Sequence, residues 1–430
     1  MNNPDSFIKQ IFWWVILTIS HITVLWGQTT AQEIFDNPEK SGGVQYAYPV
    51  QHVGPAAPYP DGYKPFYISH FGRHGSRYLV TDNEYKEILD LFNLAYEVKA
   101  LTMLGKDVFQ RLKTIWLEAE GHGGELSPLG IEQQKSISSR LITRYPEVFG
   151  KKAKIAAVST TVPRCIHSME HFCQRLTEFN PEMIILQDAD SAHMEYLNFH
   201  TPEAVRFRSD SNTWKQKYNQ FEKLHVHPER LMNSLFIHTN FLPLTENANS
   251  LMLKLFNIAS NLQNMQTEIS LYDLFEKQEL FNLWQCRNYK LYVQYANAAE
   301  NGGIMMENAK PLLKNIIETA NKYIESNSSG ASFRFGHDGN IIPLAMLLHL
   351  EDCYNSASDP SDFYKVWSDF KVAPMAGNIQ IIFFKKNGSK DILVKFLHNE
   401  TIVKLPLVSS YSFPYYLWSD VLDYYEGLLR

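Results

Sequence analysis

The chain has 430 residues, 45% hydrophobic and 13% aromatic, enough apolar material for one large core with an insertion or for two domains. Its 40 lysines and arginines against 46 aspartates and glutamates give a formal net charge of -6. With no long basic run to offset it, that balance excludes a general nucleic-acid binder, so a strongly positive stretch must serve a local site.

In chain order, residues 1–31 read as a targeting segment. Lys9 precedes an apolar run, Ile11 to Gly27, and the small and polar "QTTAQ" follows. The run is short for a bilayer span and contains Ser20, His21 and Thr23. It predicts a cleaved secretory signal and an exported protein, periplasmic or secreted, with an uncleaved N-terminal membrane anchor as the alternative. "KPFYISHFGRHG" reads as a strand, Phe66 to His70, stopped by a glycine-punctuated loop. "EYKEILDLFNLAYEVKAL" places Ile88, Leu91, Phe92, Ala95 and Tyr96 at helical spacing. Ser127 caps another helix, with Pro128 in the first turn, where a missing N–H costs nothing. "AKIAAVST", residues 153–160, reads as a buried strand that leads through Pro163 into a helix bearing Ile166, Met169, Phe172, Cys173 and Leu176.

Cys165 and Cys173 share that helix about 12 Å apart, too far for a disulfide with each other. Together with Cys286 and Cys353 they are either buried thiols or partners in a bridge that the sequence does not choose, and no Cys-x-x-Cys points to redox or zinc chemistry. From 197 to 328 helical patterns replace strand-like ones, as in "NSLMLKLFNIASNLQNM" and "AKPLLKNIIETANKYI". The alternation resumes at "ASFRFGHDGNIIPLAMLLHL", and Asn387-Gly388 between two alternating apolar runs signals a hairpin with a type I′ turn. The predicted fold class is α/β, a central mostly parallel sheet flanked by helices. Residues 45–196 and 329–430 form this domain, and 197–328 form a mainly helical inserted cap.

Ligands of open α/β sheets sit outside the carboxyl ends of strands, and three such ends carry chemistry. The first bears Arg73, His74 and Arg77 in "RHGSR", the second Arg164, and the third His337 and Asp338. Guanidinium forks match the oxygens of a phosphoryl group and stay charged at any working pH. A spacing of four brings Arg73 and Arg77 within one helical turn, so both reach one dianion. A neutral His74 between them is a competent nucleophile, and a phosphohistidine splits one difficult displacement into two. The cations stabilise the equatorial oxygens during transfer. Asp338 offers a carboxyl to protonate the departing alcohol and then to deprotonate water. The competing readings are a solvated basic loop, a surface arginine at a helix start, and Asp338 as a mere helix cap. No second His/Asp/Glu cluster stands beside His337-Asp338 at ligand spacing, so no metal site is expected.

"RHGSR" with a distant "GHDGN" resembles the histidine phosphatase superfamily, in its acid phosphatase and phytase branch. "RHGSRY" and "LWQCRNYKLY" lean toward multiple inositol polyphosphate phosphatases. "GELSPLGIEQQ", "VSTTVPRCIHSMEHF", "VAPMAGNIQIIFF" and "PYYLWSDVLDYY" agree with that branch, so the similarity runs from about Tyr46 to the C-terminus. The resemblance implies His74 as nucleophile, Arg73, Arg77, Arg164 and His337 as phosphate ligands, and Asp338 as proton donor, with no cofactor and no metal. Leu79 stands where relatives with the Arg-Tyr pairing usually carry proline. His337-Asp338-Gly339 looks like the His-Asp arrangement of general acid phosphatases and bacterial phytases, not the His-Ala-Glu of the inositol polyphosphate subgroup. The expected partner is a small anionic phosphorylated substrate, an inositol polyphosphate such as phytate or a sugar phosphate. A phosphoryl-transferring mutase and a non-catalytic binder of anions are the alternatives.

Overall fold

The computed structural model describes residues 30–50, 58–150, 153–243 and 246–430. The N-terminal run read as a secretory signal lies outside the described residues. Among those described, no helix is long and apolar enough to cross a membrane.

Among the described residues eight strands form one sheet: β1 (Tyr63–Arg73), β2 (Lys154–Ser159), β3 (Ile185–Asp188), β4 (Gly330–Gly336), β5 (Asn378–Lys386), β6 (Ile392–His398), β7 (Thr401–Ile402) and β8 (Tyr416–Leu417). Their lateral order is β3-β2-β4-β1-β5-β6-β7, with β8 also on β6. β1 to β4 are mutually parallel, β5 is antiparallel to β1, and β6 is antiparallel to β5. Strands β1, β2, β3, β4 and β6 therefore point the same way, the mostly parallel sheet that was expected. β1 is buried except at Lys64, because helices cover both faces; this is why it reads as an apolar run and not as an alternation.

The register decides where the chemistry goes. β4 lies between β2 and β1, with Gly336 opposite Arg73 and Phe335 opposite Ser159. The three carboxyl ends singled out in the sequence are thus neighbours on one edge. β1 also runs further than predicted, through Gly72 to Arg73. A glycine reads as a strand stop, but here β4 and β5 flank it and complete the ladder on both sides.

On one face the Pro128–Arg144 and Pro163–Phe179 helices pack together. Ile137, Leu141, Met169, Phe172 and Leu176 bury there against Ile68, Phe333 and Phe335. Ser127 caps the first of them, its hydroxyl accepting from the Gly130 N–H at 3.3 Å. On the other face Tyr67 and Phe71 join a larger cluster with the Lys310–Glu325 and Asp338–Leu347 helices. All four cysteines are buried free thiols.

Between β3 and β4 every named element is helical. The Ala248–Leu262 helix packs on Asn83–Glu97, and Glu229–Leu235 packs on Met103–Ala119. The helical layer therefore draws on two separate stretches of chain. β5 and β6 form the expected hairpin, but not through a type I′ turn. Residues 387–391 connect them, and Ser389 N–H closes a turn on the Lys386 carbonyl at 3.1 Å. Gly388 has φ +79 while Asn387 stays out of the left-handed region, and a type I′ turn needs both residues there.

Candidate active site

Arg73 ends β1 and is 1% exposed. A charge so buried needs partners. Its Nη1 donates to the carbonyls of Val44 and Ala373, and its Nη2 lies 3.4 Å from Asp338 Oδ2. His74 follows, fixed by its own backbone: its N–H donates to the Gly336 carbonyl at 3.0 Å, and its carbonyl accepts from Ala376 at 2.9 Å. The ring Nδ1 is 2.9 Å from the Gly75 carbonyl. A carbonyl oxygen only accepts, so Nδ1 carries the proton and Nε2 keeps a free lone pair. Burial, then the charges of Arg73, Arg164, Arg77 and His337, hold this imidazole well below its usual range. His74 is a neutral imidazole with Nε2 unprotonated.

The loop does not bring the two arginines together as a helical turn. Residues 74–76 are not helical, and Arg77 forms an isolated bridge with Leu126. Side chains from elsewhere pin the loop instead. Gly75 N–H donates to Ser168 Oγ at 3.1 Å, and that hydroxyl donates to the Arg164 carbonyl. Ser76 N–H donates to Gln133 Oε1, and Ser76 Oγ to Asn264 Oδ1 at 2.7 Å. Asn261 Nδ2 donates to the Arg77 carbonyl at 3.0 Å. A Cβ on Gly75 would stand 2.5 Å from the Gly130 carbonyl oxygen. Gly75→Ala is therefore expected to cost about 1–3 kcal/mol of stability, read as a lowered Tm. It should also lower phosphatase activity, because the displaced atoms carry His74.

Arg77 donates Nη1 to the Tyr78 carbonyl. Burial first, then Arg73 and Arg164, press its pKa down to about 10. Arg164 lies in the first turn of the Pro163–Phe179 helix, its Nη2 3.5 Å from His337 Nδ1. His337 has Nε2 3.2 Å from Thr160 Oγ1, and its ring centroid is 5.6 Å from that of His74. Burial, then Arg164, pushes its pKa to about 4, so the ring is neutral near pH 7. The Nε–H groups of Arg73, Arg77 and Arg164 are all buried without an acceptor among the described residues. Each costs about 1–3 kcal/mol if left unmet, and a multiply charged oxyanion is the partner such donors suit.

Asp338 opens the Asp338–Leu347 helix, with His337 at the cap and His337 N–H donating to Asn340 Oδ1 at 3.2 Å. Its Oδ1 accepts from the Gly339 N–H at 2.9 Å. Burial raises its pKa, but the guanidiniums of Arg73 and Arg77 outweigh that and hold the carboxyl below the usual range. Asp338 is thus ionised in the empty site.

All six residues predicted from sequence meet at one edge of the sheet. Sequence reasoning missed Ser168, Gln133, Asn261 and Asn264, which hold the loop. Asn261 and Asn264 left a trace, as polar side chains at the end of the apolar "NIASNLQNM" pattern; both are fully buried.

Several solved structures share this fold. The multiple inositol polyphosphate phosphatase of Bifidobacterium longum, in complex with inositol hexasulfate, superposes with a TM-score of 0.76 at 16% identity, covering 89% of this chain and 97% of that one. The phytase of D. castellii gives 0.65 at 15%, covering 91% and 85%. The phytase of Hafnia alvei, in complex with myo-inositol hexakis sulphate, gives 0.53 at 12%, covering 86% and 98%. At these identities the likeness shows the fold. No curated protein sequence matches the chain. The family profile of the histidine phosphatase superfamily (branch 2) matches residues 72–399, a span that holds all six site residues, and the chain belongs to that superfamily.

Proposed function

We propose that this phosphatase is an exported phosphomonoester hydrolase that works through a phosphohistidine on His74, with inositol polyphosphates or sugar phosphates as substrates. One observation carries the reading. The Nδ1–H bond to Gly75 leaves Nε2 of a neutral imidazole free beside three arginines with unmet buried donors. In the first step Nε2 attacks phosphorus in line, the ester P–O bond breaks, and Asp338 gives its proton to the departing alcohol oxygen. In the second step Asp338 takes a proton from water as the water oxygen attacks phosphorus, the P–N bond breaks, and inorganic phosphate forms. Arg73, Arg77, Arg164 and His337 bind the phosphoryl oxygens throughout.

The fold neighbours support this substrate class, since two of them hold hexasulfated inositols. We assign substrate choice to the helical segment 197–328, acting as a cap on the domain formed by 45–196 and 329–430. Asn261 and Asn264 of that segment already hold the loop between His74 and Arg77.

The test is phosphate release by the mature protein across phytate, glucose phosphates and nucleotides, at several pH values, with and without chelator. Release that survives chelation supports the proposal. An isomerised phosphate ester without free phosphate would mark a mutase, and tight binding without turnover a binder.

A further inference from the structure

The "LWQCRNYKLY" segment supplies none of the residues placed in the site, yet three of its side chains meet behind Arg73. Trp284 Nε1 donates to Asp369 Oδ1 at 2.8 Å, Asn288 Oδ1 accepts from the Asp369 N–H at 2.9 Å, and Arg287 Nη1 donates to the Gly42 carbonyl at 2.8 Å. Asp369 is 0% exposed and forms no ion pair among the described residues. Its Oδ1 also accepts from the Phe370 N–H, and its Oδ2 accepts from the Val44 N–H at 3.2 Å. Burial pushes its carboxyl up to about 6, although Trp284, Arg287 and the two amides favour the charged form.

Burying a carboxylate is costly, and its bonds to Trp284 and two backbone amides offset that cost. What it holds is the backbone N–H of Val44, across the Cα from the Val44 carbonyl that accepts the Nη1 of Arg73. Gly43 makes the approach possible. It has φ +59, which favours glycine, and a Cβ there would collide with Asp369 Oδ2. Beyond Val44 the strap is fixed again, by Asn264 Nδ2 on the Gln45 carbonyl at 2.8 Å and Gln263 Oε1 on the Ala47 N–H at 3.0 Å.

We infer that Asp369 is a positioning residue for phosphate binding: it fixes the backbone at Val44 through the N–H, and the carbonyl of that same residue aims the guanidinium of Arg73. The inference rests on Arg73 as a phosphate ligand. Asparagine at 369 keeps an oxygen for Trp284 and Phe370 but turns an NH2 toward the Val44 N–H, so it breaks the link to the strap selectively.

The experiment is a double-mutant cycle with Asp369→Asn and Arg73→Lys, reading kcat/KM and inhibition by inorganic phosphate. Lysine cannot keep the fork that Val44 and Ala373 hold. In the wild-type background D369N is expected to weaken both readouts about ten- to a hundredfold, the scale of a misplaced positioning group. In the R73K background it should add less than about twofold, because the two changes act through one contact. An equal effect in both backgrounds would make Asp369 merely structural and overturn the inference. R73K with unchanged phosphate inhibition would instead sink the role of Arg73 itself. If D369N does not fold, Gly43→Ala serves in its place, since its Cβ displaces the same strap; unaltered phosphate inhibition in that variant also overturns the inference.

Discussion

His74→Ala is expected to lose phosphate release by about 10^5-fold or more, the scale reached when a covalent nucleophile is removed from an otherwise intact site. Among the described residues the ring makes one hydrogen bond, to the carbonyl of the next residue, and its backbone bonds to Gly336 and Ala376 do not depend on the side chain. The variant should therefore fold with a Tm close to that of the parent. Inhibition by inorganic phosphate should persist, because Arg73, Arg77 and Arg164 remain. Acid is known to break P–N bonds and alkali to spare them, so rapid alkaline quenching of the parent with labelled substrate should trap a phosphorylated chain. The His74→Ala chain should carry no label. Turnover within about a hundredfold of the parent would rule out a phosphohistidine, since binding and charge stabilisation alone leave a far slower reaction. Loss of phosphate inhibition together with activity would point to a collapsed loop, and Tm separates that outcome from loss of the nucleophile.

How far the sequence disclosed this site depends on the distance between partners. Arg73, His74, Gly75 and Arg77 are legible because their chemistry and their glycine are local, and the alternation of strands with helices places them at a strand end. Their true arrangement was not legible. A spacing of four suggested a helical turn, whereas the loop is held by Ser168, Asn261 and Asn264, which are 93 to 188 positions from their partners. No periodicity reports such a bond. Gly72 read as a strand stop because a single sequence does not show that β4 and β5 will flank it. Asn387-Gly388 read as a two-residue turn because register, which sets loop length, belongs to the sheet. The ionisation of Asp338 is of the same kind. Its neighbour in sequence is His337, but the group that outweighs its burial is Arg73, 265 positions away.

That ionisation shapes the second large effect. Asp338→Asn should slow hydrolysis of an alkyl phosphate by about 10^2- to 10^4-fold, the usual contribution of a general acid. It should slow nitrophenyl phosphate far less, because a stabilised phenolate leaves without a proton. In the empty site the guanidiniums of Arg73 and Arg77 keep the carboxyl deprotonated through the mildly acidic range. A bound phosphoryl group takes up the charge of those arginines and adds its own, so the carboxyl's proton affinity rises on binding. With Asp338 as the proposed acid, the proton comes with the substrate. A phosphate monoester holds its second proton up to a pKa of about 6, and the monoanion can pass it to Asp338 inside the cup. The sign follows: kcat/KM for the alkyl ester should fall as pH rises through about 6, and the fall should flatten in Asp338→Asn, which has no carboxyl to receive the proton. His74 and His337 do not produce this limb, since both are held neutral well below it. Equal losses on the two esters, or an unchanged alkaline limb in the variant, would remove Asp338 as the acid and leave it only the task of pairing with Arg73.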